Sequence, residues 1–194
     1  MTPITYALLI ANLIAYGIEA AVGGNLVEQF ALWPLGAGFQ IWQLVTSAFL
    51  HANLTQLATN MFGLWMFGRA VEQALGSARF LQLYCASVLT ASLAQLLVCA
   101  LLGQVQPTLG ASGGLFGVLA AFALLFPKQT IVLLFPPIPL PARVFVLLYA
   151  AFELFSGVAG TQSGVAHFAH LGGLVGGYTM LLLWRRRAAP MHRS

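Results

Sequence analysis

Residues 110–128 read GASGGLFGVLAAFALLFPK. From Ser112 to Pro127 this stretch carries no charge, and it ends on Pro127-Lys128. An uninterrupted apolar run bounded in this way predicts a helix in lipid and not an amphipathic helix on a soluble core. Gly113 and Gly117 stand four apart, so both fall on one helix face and open it to close packing. Ser112 is the polar residue at the head of the helix.

The rest of the chain agrees. Of 194 residues, 60% are hydrophobic and 6% charged, against about 25% charged in soluble domains. Apolar stretches near 4–22, 54–75, 80–102, 112–127, 141–159 and 164–184 predict six transmembrane helices in one domain spanning 1–194. The fold class is therefore all-α and polytopic. The period-2 alternation of a membrane β-barrel is missing. The first span has no basic segment before it and holds Glu19, so it reads as an anchor and not a cleaved signal.

Eight basic residues set the orientation. Arg69 and Arg79 flank the second connection, Lys128 and Arg143 the fourth, and Arg185, Arg186, Arg187 and Arg193 belong to the tail from 185 to 194. With six spans, all eight and both termini fall on one side, which the positive-inside rule makes cytoplasmic. A bacterial plasma-membrane protein is expected. Nucleic acid is not an expected partner, because these cations adjoin apolar spans. Residues 23–53 form a long outer loop with Trp33, Phe39, Trp42 and Phe49, suited to the membrane interface. Residues 127–142 hold five prolines and form a cytoplasmic connection. Cys85 and Cys99, about 21 Å apart on one helix, cannot pair.

Polar groups inside spans are costly and mark candidate sites. The four acids are Glu19, Glu28, Glu72 and Glu153, with no aspartate. That excludes a Ser-His-Asp triad and a two-Asp protease. Gly110-Ala111-Ser112-Gly113-Gly114 formally matches the nucleophile elbow G-x-S-x-G, but that motif needs a preceding strand, and here it opens a membrane helix. In the sixth span His170 is followed by Gly173 and Gly177. Ser112 lies 16 residues from Lys128, and His170 lies 15 from Arg185. At 1.5 Å per residue both sit about 23 Å from the cytoplasmic edge. Equal depth and two small-residue faces predict a Ser112–His170 pair.

Such a pair needs donors for an oxyanion. The amides at the start of the fourth span, Gly113 among them, lack intrahelical acceptors, and Asn60 is polar in an otherwise apolar stretch. His167 is a less suitable base, because it lies about 4.5 Å nearer the outer surface and lacks a glycine three residues on. His167 and His170 lack the ligand signature of a zinc site, so no metal and no cofactor are expected. Glu72 and Glu153 read as structural hydrogen-bonding groups, orientation of His170 by Glu153 being the alternative.

These motifs together resemble the rhomboid family of intramembrane serine proteases. Gly110-x-Ser112-Gly113 is similar to the family's GxSG, and His170…Gly173…Gly177 to its histidine helix two spans later. The stretch His51, Asn60-Met61, Leu64, Phe67-Gly68, Glu72, Gly76, Arg79-Phe80 and Tyr84 resembles the family's second span. Trp42-Gln43, Thr46 and Phe49 resemble the end of its first outer loop. The resemblance covers nearly the whole chain.

It implies Ser112 as nucleophile, His170 as general base, and Asn60 with the backbone as oxyanion donors. It also implies transmembrane protein substrates arriving from lipid between spans two and five. The family's usual histidine four residues before the asparagine is replaced by Gln56, whose amide can still donate. Its usual tyrosine at position 116 is replaced by Phe116. The alternative is a catalytically weak or inactive relative that binds and escorts membrane helices. A transporter would need broken helices or paired mid-membrane charges.

Overall fold

The computed structural model describes residues 1–23, 25–132, 137–160 and 166–188. Within the described residues, each of the six apolar stretches is mainly helical. Helix α1 (Pro3–Val22) starts with proline in its first turn, where a missing N–H costs nothing. The outer loop holds α2 (Asn25–Phe30), α3 (Gln43–Thr46) and a 3₁₀ turn, Ser47–Phe49. Next comes α4 (Leu54–Gly63), capped by Asn53 Oδ1, which accepts from the Gln56 amide at 2.8 Å. It runs through a π-helical turn, Leu64–Gly68, into α5 (Arg69–Leu75).

Gly76, at φ +80°, turns the chain sharply into α6 (Ser77–Leu102). Helix α7 (Ser112–Leu125) follows, then α8 (Ala142–Ala159) and α9 (His167–Ala188). One departure from the all-helical expectation lies in the proline-rich connection. Thr130–Val132 (β1) pairs antiparallel with Pro139–Pro141 (β2). Extended, proline-bounded segments too short for a helix can still satisfy their backbone in a two-stranded ribbon.

The packing is that of a membrane protein. Helices α1, α6 and α8 are long and apolar enough to cross a bilayer, and their outward faces carry large apolar side chains. On α8, Leu147, Phe155 and Val158 are all more than 60% exposed. Such a surface needs lipid as its solvent. Helix α7 is central, with every residue from Gly113 to Ala123 buried.

Glycines set how closely its neighbours approach. On α9, Gly173 and Gly177 press against the Gly113 and Gly117 carbonyls of α7, while Gly172 and Gly176 press against α6 around Thr90 and Ser87. Side by side, these two pairs let α9 lie in contact with both helices. Two basic residues dock beside the C-terminal part of α9. Arg79 lies over the Trp184 ring, and Arg185 donates to the Leu124 carbonyl.

The outer loop is tied to the opposite end. Leu32 and Thr108 exchange backbone bonds of 2.9 Å, and the Gly110 amide donates to Ser47 at 2.9 Å. Buried Gln43 acts as a staple. Its Oε1 accepts from the Trp33 and Gln40 amides, and its Nε2 donates to the Gln29 carbonyl.

Candidate active site

Helix α7 begins at Ser112, directly after Gly110, whose φ of +129° only glycine adopts without strain. That turn leaves the Ser112, Gly113 and Gly114 amides without a backbone acceptor among the described residues; the first bond is Leu115 to Ala111. Three unpaired N–H groups at the N-terminus of a 14-residue helix make an electropositive rim around the serine.

His170 enters from α9. Its Nε2 lies 2.8 Å from Ser112 Oγ, at hydrogen-bonding distance for a base and a hydroxyl. The imidazole stacks flat on Phe116, one turn below the serine, with centroids 4.3 Å apart and planes 5° from parallel. Phe116 is backed in turn by Tyr149 of α8. A ring at position 116 is enough to make this stack.

The two residues border a cavity of about 940 Å³. Gln56 and Asn60 of α4 and Gly113 of α7 line it as well. Asn60 is buried, and its Nδ2 has no hydrogen-bond partner among the described residues. A buried donor left unpaired costs about 1–3 kcal/mol, and this one lines the same cavity as Ser112 and His170. Gln56 is more committed. Its Oε1 accepts from the Ala52 amide at 2.7 Å, and its Nε2 donates to the Leu109 carbonyl at 3.2 Å. One N–H of that amide remains for a ligand, while the other steadies the turn that delivers Ser112.

All five residues singled out in the sequence thus border one cavity. Sequence reasoning underweighted Glu153. Instead of a separate structural role, its Oε2 lies 2.9 Å from His170 Nδ1 and 2.6 Å from His167 Nδ1. A glutamate inside an apolar helix was the available signal. Depth counting masked it, since Arg143 on the same helix is only ten residues away, about 15 Å.

Comparison with known proteins places this architecture. The rhomboid domain profile matches residues 38–187. The chain belongs to the rhomboid family. It is 35% identical over 173 residues to Rhomboid protein 1, mitochondrial, of Saccharomyces cerevisiae, covering 88% of this chain and 50% of that protein. It is 32% identical over 150 residues to Presenilin-associated rhomboid-like protein A, mitochondrial, of Danio rerio, covering 74% and 39%. To Rhomboid protease GluP of Bacillus subtilis it is 34% identical over 137 residues, covering 71% and 25%. This rhomboid chain spans half or less of the length of these relatives. The family is a polytopic helical membrane fold, and the apolar helices of this rhomboid agree with it.

Proposed function

We propose that this rhomboid is a serine endopeptidase that cleaves transmembrane segments of membrane proteins. The observation that carries the reading is the 2.8 Å Ser112–His170 contact, set beside unpaired donors in a cavity large enough for an unwound peptide segment. Ser112 Oγ–H donates to His170 Nε2. As Oγ attacks the scissile carbonyl, the proton passes to the imidazole and then to the leaving amine. The carbonyl oxygen becomes an anion within reach of the amides of Ser112 and Gly113 and of Asn60 Nδ2, with Gln56 in support. Water follows the cavity to hydrolyse the acyl-enzyme.

Substrates arrive from lipid. Helix α4 and helix α8 both border the cavity yet scarcely touch one another, which supports a lateral opening between them. Helices hide their carbonyls, so substrates that unwind at Gly or Pro are favoured. The charge partition supports six crossings, with both termini on the cytoplasmic side.

The test is fluorophosphonate labelling and cleavage of a reporter transmembrane substrate in detergent or vesicles, beside Ser112→Ala and His170→Ala. Labelling that needs both residues supports the protease. Wild-type protein that binds the reporter, takes no label and leaves it uncut would mark a helix-binding escort instead.

A further inference from the structure

His170 has a second ring nitrogen, and what lies behind it is a buried carboxylate. Glu153 is 3% exposed, His167 4% and His170 9%. Glu153 Oε2 meets both Nδ1 atoms, at 2.6 Å to His167 and 2.9 Å to His170. Glu153 does not border the cavity, whereas both histidines do. We propose that Glu153, held by His167, is a positioning residue that fixes the tautomer and orientation of His170; this rests on the protease reading above.

The chemistry follows from counting protons. One carboxylate oxygen has two lone-pair directions, and two imidazole N–H groups fill them. An ionised Glu153 thus receives an N–H from each histidine, which places a proton on Nδ1 of both rings; a neutral His170 is then the Nδ1–H tautomer. For His170 that leaves the Nε2 lone pair facing Ser112 Oγ–H, the arrangement a general base needs. When Nε2 takes the serine proton, the imidazolium forms against a carboxylate already in contact. The charge is then half of an ion pair and not an isolated cation in a low-dielectric bundle. The proton later leaves from Nε2 to the amine, so Glu153 gains and loses nothing over the cycle.

His167 explains how a carboxylate stays in an apolar helix. Two charge-assisted bonds offset its desolvation where one would leave the oxygen half satisfied. A shared metal ion fits less well. Tetrahedral zinc with ligands at about 2.0–2.1 Å holds its ligand atoms about 3.3 Å apart. The 2.6 and 2.9 Å separations here are hydrogen-bond lengths.

The test compares full-length wild type, Glu153→Gln, Glu153→Asp and His167→Gln, with Ser112→Ala alongside. Glu153→Gln keeps the shape but offers an amide donor to Nδ1, favouring the wrong tautomer. The expected result is a fall in kcat of about 10²–10⁴-fold with KM within about twofold, since Glu153 does not border the cavity. Labelling should slow in parallel, Glu153→Asp should recover part of the rate, and His167→Gln should lose less than Glu153→Gln. If Glu153→Gln turns over at the wild-type rate while Ser112→Ala is inactive, the positioning role is wrong and the protease reading stands. Ser112→Ala that still cleaves would overturn the protease reading itself. A second readout needs no folded glutamate variant: nitrogen-15 NMR of histidine-labelled wild type, assigned with His170→Ala. An Nδ1-protonated His170 supports the proposal, and an Nε2-protonated one overturns it.

Discussion

Gly173 and Gly113 meet backbone to backbone: a Cβ on Gly173 would fall on the Gly113 carbonyl, as one on Gly177 would on that of Gly117. This contact is what brings the α9 histidine to the α7 serine. In a bilayer no hydrophobic driving force separates helices from lipid, so close van der Waals approach has to hold them.

Gly173→Ala should therefore push the helices apart, lowering stability by about 1–3 kcal/mol and abolishing fluorophosphonate labelling. Gly17, inside α1 with open space around it, makes the control. Gly17→Ala should raise stability by about 0.5–1 kcal/mol and leave labelling intact. Thermal unfolding in detergent, read with labelling, separates the two.

Asn60 and Gln56 should behave differently although both face the cavity. Asn60→Ala removes a donor without a partner, so kcat should drop by about 10²–10³-fold with the melting temperature nearly unchanged. Gln56→Ala also releases the Leu109 carbonyl and the Ala52 amide. It should lower stability by about 1–2 kcal/mol as well as rate. Parallel kinetics and melting curves would show the contrast.

Glu72 anchors the start of α1. It accepts from the Ile4 and Thr5 amides, from Thr5 Oγ1 and from Ser77 Oγ, at 2.7 to 3.0 Å. Glu72→Gln halves the acceptor oxygens and sets an NH₂ group against donors. A loss of about 2–4 kcal/mol is expected, with faster hydrogen exchange over residues 4–6.

His51, in the outer loop just before α4, should make stability pH-dependent. Burial pushes its imidazole down to about 4, opposed only weakly by the nearby Phe49 backbone, and neither ring nitrogen has a hydrogen-bond partner among the described residues. The unfolded chain binds this proton near pH 6.5, so the folded state is favoured above that value. The advantage is lost as pH falls from about 6.5 to 4, where the folded ring also protonates. The full effect is about 3 kcal/mol. His51→Gln should flatten that part of the melting-temperature profile between pH 7 and 4.

Much of the site was legible in the chain. Ser112, His170 and the Gly113, Gly117, Gly173 and Gly177 pairs are local patterns with a fixed helical period, and charges at span ends act as a depth scale. Gln56 was legible only as a residue type. That one of its donors ties down Leu109, 53 positions away, depends on how the loop before α7 folds back over α4. The π-turn at Leu64–Gly68 interrupts an apolar run that reads as one helix, because side-chain periodicity does not reveal which carbonyl each amide selects.

The sequence by itself determined a helical membrane protein with a serine and a histidine at one depth, since hydropathy, charge and small-residue spacing are properties of single helices. Only the tertiary structure decided what stands behind the histidine. An absent aspartate left the base to be oriented by packing and its other ring hydrogen bond, with Glu153 only an alternative partner; in the folded bundle Glu153 on α8 reaches both His170 and His167 on α9. Which rotations bury two helix faces against each other is set by the packing of the whole bundle. No spacing along one chain segment encodes it.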